Sequence, residues 1–165
     1  MIGLVAFSFA LREEQDEPNP CNQRLGDIVA AIAATEPDLT IVSQWEVTRR
    51  LDSLGIAVAA TVELPTDGSY LDSRMVWNTA KATFSAHDIT RVIAVSQPFL
   101  QLGAVKSMIR RDGFTVIDYP IPAIGFDTSP LNTQPWTKSA YALLIYAIKV
   151  RLSGRHGHRG RQAAQ

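Results

Sequence analysis

The stretch that decides the fold of this chain is Val92-Ile-Ala-Val-Ser-Gln-Pro-Phe-Leu-Gln-Leu-Gly-Ala-Val-Lys-Ser-Met-Ile-Arg-Arg-Asp-Gly-Phe-Thr-Val-Ile-Asp-Tyr-Pro120. The apolar run from Val92 to Val95 predicts a buried strand, and residues 99–112 have the spacing of an amphipathic helix. Gly113 ends that helix, and the apolar run 114–117 predicts a second strand. This order is typical of a β-α-β unit, whose two strands are parallel.

The rest of the chain repeats this alternation of short apolar strands and amphipathic helices. Strands are predicted near residues 2–8, 39–43, 56–62, 91–96 and 114–118. Helices are predicted over 22–34, with Asn22 as the N-cap, and over 45–54, 70–86, 99–112 and 136–152. Parallel strands joined by helices form a sheet that is covered on both faces. The sequence therefore predicts a three-layer α/β/α, Rossmann-like domain with five parallel strands.

Two helices carry side chains at helical spacing. In the third predicted helix, over 70–86, Leu71, Met75, Asn78 and Ala82 lie along one side. In the last helix, the expected core face is formed by Tyr141, Leu144, Ile145, Ile148 and Leu152.

Length and net charge limit the number of domains and the kinds of partner that this chain can have. The 165 residues fit one domain, which we place at 1–153, followed by a basic tail at 154–165 that is expected to be a solvated end. An arm for an anionic partner is the alternative for that tail. Sixteen basic and sixteen acidic residues cancel, so no nucleic-acid binding is expected.

The cellular compartment is predicted from cysteine usage and hydropathy. Cys21 is the single cysteine, which suits a reducing compartment, and we expect it to be buried rather than reactive. No signal peptide is apparent, and no apolar run approaches the ~20 residues that a membrane span needs. We therefore expect a cytoplasmic protein without a membrane span.

The candidate ligand-binding residues follow the predicted strands directly. They are Ser8 and Phe9 after the first strand, Ser43, Gln44 and Trp45 after the second, and Ser96 and Gln97 after the fourth. The carboxyl ends of parallel strands meet at one edge, which is where open α/β sheets bind ligands. Helix N-termini at this edge favour anionic groups, and Trp45 offers a stacking surface. The alternative is that these residues only cap helices and pack under loops.

The sequence lacks the common catalytic motifs. It has no glycine-rich dinucleotide fingerprint, no phosphate-binding loop with its lysine, and no nucleophile elbow. The three histidines, His87, His156 and His158, fall away from the strand ends. The acid or base candidates are therefore carboxylates, namely Glu46, Asp127 and the acidic residues between 13 and 17. Whether the chain is an enzyme stays open, and no metal site and no cofactor are predicted.

Several short motifs carry a resemblance to a known family. They are Ser96-Gln-Pro-Phe99 with Ala104, Gly113 to Pro120, Asn78-Thr-Ala80 and Arg24-Leu25. Together they resemble the YdcF/SanA-like family, a bacterial family of poorly defined function. The resemblance implies strand order 3-2-1-4-5, a crevice between strands one and four, and ligand-binding positions at Arg24 and Asn78.

The chain departs from the family pattern at its charged positions. Leu100 stands where the family has a histidine, Gly103 where it has an arginine, and Trp77 where it has a glutamate. No catalytic residue is therefore carried over. The sequence predicts a small-molecule-binding domain, with or without catalytic activity, for a nucleotide-like or phosphorylated and hence anionic ligand. The alternative is a catalytically degenerate relative that serves as a protein-interaction or structural module.

Overall fold

A computed structural model of the chain describes residues 1–12, 19–67 and 69–152. The predictions made for the acidic residues between 13 and 17 and for the tail at 154–165 lie outside the described residues. The elements, in chain order, are β1 (Ile2–Ala6), α1 (Pro20–Thr35), β2 (Leu39–Gln44), α2 (Trp45–Ser53), β3 (Ala60–Val62), α3 (Ser73–Ala86), β4 (Arg91–Val95), α4 (Gln101–Arg111), β5 (Thr115–Ile117), a 3₁₀ turn (Pro135–Thr137) and α5 (Ala140–Leu152).

The five strands form one sheet in the order β3-β2-β1-β4-β5, and every neighbouring pair is parallel. The predicted fold class and strand order are therefore confirmed. Ala6, the last residue of β1, pairs with Ser43 on β2 and with Val95 on β4. The carboxyl ends of these three strands consequently lie side by side, so the residues that follow them share one edge of the sheet.

Each face of the sheet is covered by its own hydrophobic core. On one face, α3 and α4 pack through residues that include Trp77 and Phe84. On the other face, α1, α2 and α5 pack through residues that include Leu25, Leu51 and Leu143. The chain thus has three layers, because strand side chains alternate between the two faces.

A glycine on the central strand sets the distance between α3 and the sheet. A Cβ atom built on Gly3 would lie 2.9 Å from the ring of Phe84, closer than two carbon atoms approach without overlap. The Phe84 ring itself is completely buried. Gly3 is therefore the residue that lets this aromatic side chain lie flat on β1.

Several element boundaries differ from the predicted ones, with the start of α1 and the start of β3 as examples. The N-cap of α1 is Asn19, whose side-chain oxygen accepts from the Asn22 N–H at 3.0 Å. Pro20 occupies the first helical turn, a position that suits its fixed φ angle and missing N–H. β3 is three residues long and begins at Ala60 rather than near residue 56.

The side of α3 that carries Met75 and Asn78 is not its buried side, and the core face predicted for α5 is wrong. α3 buries Val76, Trp77, Ala80 and Phe84, which leaves Asn78 exposed and Met75 36% exposed. On α5, Tyr141, Leu144 and Ile148 are 74%, 43% and 48% exposed. Nearly every residue of α5 is apolar, so its sequence spacing contains little information about which side packs.

The prediction that no segment spans a membrane can be compared with the helices of the structure. Among the residues that the structure describes, no helix combines the length and the apolar character needed to cross a bilayer.

Candidate functional site

The residues that follow β1, β2 and β4 at 7–10, 44–46 and 96–98 form what we call the crevice edge. The loop after β1 is fixed there by two buried asparagines. The Asn22 side chain accepts from the Phe9 N–H at 2.8 Å and donates to the Ala10 carbonyl at 3.2 Å. Asn19 also donates to that carbonyl, at 2.9 Å. This pairing satisfies a turn in which Ala10 has a φ of 66°, a conformation that L-residues seldom adopt.

Two glutamine side chains fill the gaps between the strand ends. Gln44 accepts from the Ser8 N–H at 3.1 Å, which links β2 to β1. Gln101 donates to the Ser8 carbonyl at 3.3 Å and accepts from the Gln97 N–H at 3.2 Å, which links β1 to β4. Backbone groups of Ser8, Phe9, Ala10 and Gln97 are therefore satisfied by side chains of the same chain.

Three of the predicted ligand-binding residues have their polar groups in use within the chain. The Ser43 hydroxyl forms a short hydrogen bond with Thr48, and Gln44 binds Ser8 as described. Gln97 accepts from the Phe99 N–H at 2.5 Å and donates to the Gly125 carbonyl at 3.1 Å. These side chains shape the crevice edge, and the contacts that the prediction reserved for a ligand are made internally.

Three more predicted residues are placed differently from the expectation, because the Phe9 ring is buried and Arg24 and Asn78 are exposed on helices. Phe9 is buried toward α1, with its ring centroid 5.8 Å from that of Phe126. Arg24 is exposed on α1 and Asn78 is exposed on α3. No hydrogen bond or ion pair among the described residues connects either side chain to Ser8 or Ser96. The helical phase places both side chains on the solvent side, and their assignment to the site stays a prediction.

Four buried polar atoms have no hydrogen-bond partner among the described residues. They are Ser8 Oγ, Trp45 Nε1, Glu46 Oε2 and Ser96 Oγ. Two of them are neighbours, since the Ser8 hydroxyl lowers the pKa of the Glu46 carboxyl without forming a hydrogen bond of regular geometry with it. All four belong to residues that directly follow β1, β2 or β4. Most buried polar side-chain atoms in proteins are paired, and an unpaired one destabilises the fold by about 1–3 kcal/mol. Such groups gathered at one sheet edge are typical of a site that pairs with something outside the chain.

Glu46 is the most unusual of these residues. Its side chain is 3% exposed, and burial raises the pKa of its carboxyl to about 7, against the opposing effects of the Ser8 hydroxyl, the Glu46 backbone and the Arg49 charge. The Glu63 carboxylate adds to the increase. A carboxyl with this pKa exchanges its proton near neutral pH, so it is equipped to donate or accept a hydrogen bond or a proton. From the sequence, Glu46 was one of several candidate acids or bases, because its burial depends on the tertiary structure.

Trp45 does not offer the open stacking surface that was predicted. Its ring is 7% exposed, and the Arg49 guanidinium carbon lies 4.6 Å from the ring centroid. This cation–π contact covers part of the ring. What remains unsatisfied on Trp45 is its indole N–H, so hydrogen bonding is the interaction it can offer.

Three aromatic residues from distant segments pack against one another, and we call Tyr70, Trp136 and Tyr146 the aromatic cluster. The rings of Trp136 and Tyr146 are stacked at 4.8 Å, and Tyr70 meets Trp136 edge-on at 6.3 Å. Burial raises the pKa of the Tyr70 hydroxyl, and nearby charges, including Glu46, add to the increase. Sequence reasoning missed this cluster because its members come from the chain before α3, the long loop and α5.

The long loop after β5 is anchored over the loop after β1. Arg12 makes a bidentate ion pair with Asp127, at 2.6 and 2.7 Å, and the Thr133 N–H donates to the Leu11 carbonyl at 2.9 Å. Burial of Asp127 opposes ionisation, but the hydrogen bonds from Arg12 and from the Ser129 N–H outweigh it and lower the pKa of the carboxyl. Asp127, an acid or base candidate from the sequence, therefore serves as an anchor.

The turn into α4 is strained. Leu100 has φ 68° and ψ −42°, close to a γ-turn conformation that is rare for L-residues, and the Gln101 N–H bonds back to the Phe99 carbonyl at 3.0 Å. Phe99 and Leu100 are 42% and 41% exposed. Backbone strain of this kind gathers at functional sites, and here it lies next to Gln97 at the crevice edge.

Comparisons with known proteins add no family assignment. No family model, no curated protein and no solved structure matches this chain. The resemblance to the YdcF/SanA-like family therefore stays a prediction.

Within residues 1–12, 19–67 and 69–152, no group of three or more histidine, cysteine, aspartate or glutamate side chains is placed to hold a metal ion.

A matched pair of serines tests whether the unpaired groups are real. Ser43 and Ser96 are both completely buried at strand ends, but only the Ser43 hydroxyl is hydrogen-bonded. We expect Ser96→Ala to raise the free energy of unfolding by about 1 kcal/mol and Ser43→Ala to lower it by about 1 kcal/mol. Denaturant unfolding measures both. A loss of stability in Ser96→Ala as large as that in Ser43→Ala would show that Ser96 has a structural partner.

Proposed function

We propose that this chain is a small-molecule-binding domain whose ligand sits at the crevice edge, against the carboxyl ends of β1, β2 and β4. One observation carries the proposal: the four unpaired buried polar atoms of Ser8, Trp45, Glu46 and Ser96. Leaving these atoms unpaired destabilises the fold, and a ligand that forms hydrogen bonds with them recovers this free energy on binding. Proteins retain destabilising groups of this kind where function requires them.

The chemistry of these four groups favours a ligand with several hydrogen-bonding atoms. The Trp45 N–H requires an acceptor, the two serine hydroxyls accept or donate, and the Glu46 carboxyl accepts when charged and donates when protonated. The heterocycle and sugar of a nucleoside supply donors and acceptors at this density. We therefore propose a nucleotide-like ligand whose nucleoside part contacts the crevice edge.

The expected phosphate has less support than the nucleoside part. The N–H groups of Phe99, Gln101 and Leu102 at the start of α4 are already bonded, to Gln97 and to Phe99. The buried Glu46 carboxyl repels an anion when it is charged. A phosphate on the ligand would therefore extend away from Glu46 rather than occupy the inner edge.

Native mass spectrometry of freshly purified protein tests this function. We expect a small molecule to copurify with the wild type and to be absent from Ser8→Ala/Ser96→Ala, which removes both hydroxyls without adding volume. Ser107→Ala, on the exposed side of α4, is the control that should retain the molecule. If the wild type has no bound molecule and no nucleoside or nucleotide raises its melting temperature, the binding function is wrong.

A second candidate function is supported by a separate surface. Tyr141, Leu144 and Ile148 form an exposed apolar stripe on α5, at spacings that share one side of a helix. Such a stripe favours the alternative of a protein-interaction module. It lies on a different element from Ser8, Glu46 and Ser96, so loss of ligand binding in the crevice variants would leave it intact.

A further inference from the structure

The charges of this chain are divided unevenly along the sequence. Residues 1–127 contain ten basic and sixteen acidic residues, a net charge of −6. Residues 128–165 contain no acidic residue and six basic ones, which are Lys138, Lys149, Arg151, Arg155, Arg159 and Arg161. The overall neutrality is therefore the sum of an acidic part and a C-terminal segment of net charge +6. A segment with a basic excess of this kind favours anionic partners.

Helix α5 lies within this basic segment and has an apolar outer side. Leu143 packs in the core, whereas Tyr141, Leu144 and Ile148 are 74%, 43% and 48% exposed. At about 100° per residue along a helix, these three side chains fall within a sector of about 60°. The apolar stripe that they form is therefore continuous along two turns of α5 and faces solvent.

The two basic residues of α5 lie on either side of the apolar stripe. Lys149 is about 100° from Ile148 in one direction around the helix, and Arg151 is about 60° from it in the other. Both side chains are exposed, and no ion pair of the described residues includes either of them. Basic side chains beside an apolar stripe, with their stems along it and their charges at the polar side, are typical of a helix that lies in a lipid–water interface.

The apolar stripe alone would suit a protein partner, but its size and its basic surroundings favour a lipid surface. Three exposed side chains of one helix are far fewer than the roughly 20–30 residues that each partner contributes to a standard protein interface. A bilayer, in contrast, accepts the convex surface of a single helix. Clusters of about 4–8 basic residues on or beside an amphipathic helix are the pattern that binds anionic lipids, and this segment has six.

We propose that α5 docks onto the surface of an anionic lipid bilayer. Leu144 and Ile148 enter the boundary between headgroups and acyl chains, and the Tyr141 ring lies at the headgroup level, where tyrosine is enriched. Lys149 and Arg151 contact lipid phosphates, and the arginines at 155–161 add to the attraction through their charge. The acidic part of the chain is repelled by the same surface, so the contact is limited to the C-terminal segment.

This inference goes beyond the ligand site at the crevice edge and does not depend on it. The stripe on α5 shares no residue with the strand ends that hold Ser8, Glu46 and Ser96. The inference places a lipid surface where the second candidate function places a protein. The contact is peripheral, and it requires no helix that crosses the bilayer.

Sedimentation of the full chain with lipid vesicles tests this docking. Vesicles of phosphatidylcholine that contain about 30% phosphatidylglycerol are compared with vesicles of phosphatidylcholine alone, so that only the negative charge differs. We expect the partition coefficient of the wild type to be at least about tenfold higher on the anionic vesicles. Raising the NaCl concentration from about 0.05 M to about 0.5 M should remove most of this preference, because salt screens the attraction.

The variant Leu144→Gln/Ile148→Gln removes the apolar surface and leaves the charge unchanged. Its partition coefficient on anionic vesicles should fall about tenfold, because less apolar surface leaves water on docking. The matched control is Leu54→Gln/Leu64→Gln, at two positions that are 41% and 40% exposed on other parts of the chain. This control should bind as the wild type does, and thermal unfolding checks that both variants are folded.

The variant Lys149→Gln/Arg151→Gln removes two charges and leaves the apolar stripe unchanged. Binding to anionic vesicles should weaken roughly 20–30-fold, since each basic residue near such a surface contributes about fivefold. Arg91→Gln/Arg111→Gln makes the same change in net charge at exposed positions on β4 and at the end of α4. This control should keep most of the wild-type affinity.

Three results would overturn the inference. They are a wild type that does not sediment with anionic vesicles, equal partition onto neutral and anionic vesicles, and wild-type binding in either α5 variant. If the wild type stays in solution and elutes as a dimer that Leu144→Gln/Ile148→Gln converts to a monomer, the stripe is an interface between two copies of the chain and the lipid is wrong. None of these results bears on the crevice edge, whose ligand is detected by native mass spectrometry.

Discussion

Glu46→Gln is expected to raise the free energy of unfolding at pH 8 by on the order of 3 kcal/mol. The carboxyl has an ordinary pKa of 4.5 and a pKa of about 7 in the folded chain. Because each pKa unit corresponds to about 1.4 kcal/mol, the charged form of Glu46 destabilises the folded chain by this amount above pH 7. Glutamine fills the same space and is never charged, so it avoids the cost.

The pH dependence of stability gives this prediction its sign. Between about pH 4.5 and pH 7 the folded chain keeps the Glu46 proton that the unfolded chain has lost. The free energy of unfolding of the wild type should therefore fall as pH rises through this window, and it should level off above it. Glu46→Gln should lack this fall.

Denaturant unfolding at several pH values between about 4 and 8 measures this effect, because that range contains the pKa of Glu46 in both the unfolded and the folded chain. Asp38→Asn, an exposed carboxyl, is the control and should follow the wild-type profile. Parallel profiles for the wild type and Glu46→Gln would contradict the burial of a titrating carboxyl at this edge.

Arg12→Met is expected to lower the free energy of unfolding by about 3 kcal/mol at neutral pH. It leaves Asp127, which is 4% exposed, without the guanidinium that neutralises it. Removing one partner of a buried ion pair lowers the free energy of unfolding by about this amount, because the remaining charge stays buried without a partner. Methionine keeps most of the aliphatic packing of Arg12, so the loss reports the charge rather than the side-chain volume.

The matched control for Arg12→Met is Arg50→Met. Arg50 pairs with Asp27 at 2.8 Å, but the two side chains are 34% and 50% exposed, and exposed pairs contribute about 0–1 kcal/mol. Since pairing lowers the pKa of Asp127, the difference between wild type and Arg12→Met should shrink as the carboxyl is protonated below its ordinary value of 3.8. Equal losses in both variants, from denaturant unfolding, would show that the long loop is not anchored by this pair.

The proposed ligand site depends on the same anchor. The loop that contains Asp127 also contains Trp136 of the aromatic cluster, and Gly125, which accepts from Gln97 at the crevice edge. Loss of the Arg12–Asp127 pair should therefore loosen Trp136 as well. In Arg12→Met the indole N–H signal of Trp136 should broaden or move, while that of Trp77 in the core should stay in place.

Local sequence patterns predicted the fold because the sheet is regular. Apolar runs such as Val92–Val95, separated by amphipathic helices and glycine stops such as Gly113, leave one arrangement that buries both sheet faces. The edge at which Ser8, Ser96 and Trp45 come together also followed, since parallel strands end on the same side. These features depend on neighbours in sequence, which is why one sequence was sufficient.

The same patterns were misleading where a helix is apolar on several sides. The predicted core side of α5 is exposed at Tyr141, Leu144 and Ile148. The side of this helix that packs against the sheet depends on how the long loop positions the helix. Asn78 and Arg24 were assigned to the site by resemblance, and the rotation of α3 and α1 against the sheet turns both to solvent. Helix rotation is set by packing, which one sequence does not display.

What the sequence by itself determined is therefore the parallel sheet, its order of layers and the edge that holds the site. What only the tertiary structure decided is which polar groups at that edge remain unpaired. Ser43 and Ser96 look alike in sequence, but Thr48 reaches one hydroxyl and no described residue reaches the other. Glu46 differs from the exposed carboxylates in being buried, and from the buried Asp127 in having an oxygen without a hydrogen-bond partner among the described residues. Desolvation and hydrogen-bond pairing depend on residues brought together from distant parts of the chain, so folding alone distinguishes the site from its surroundings.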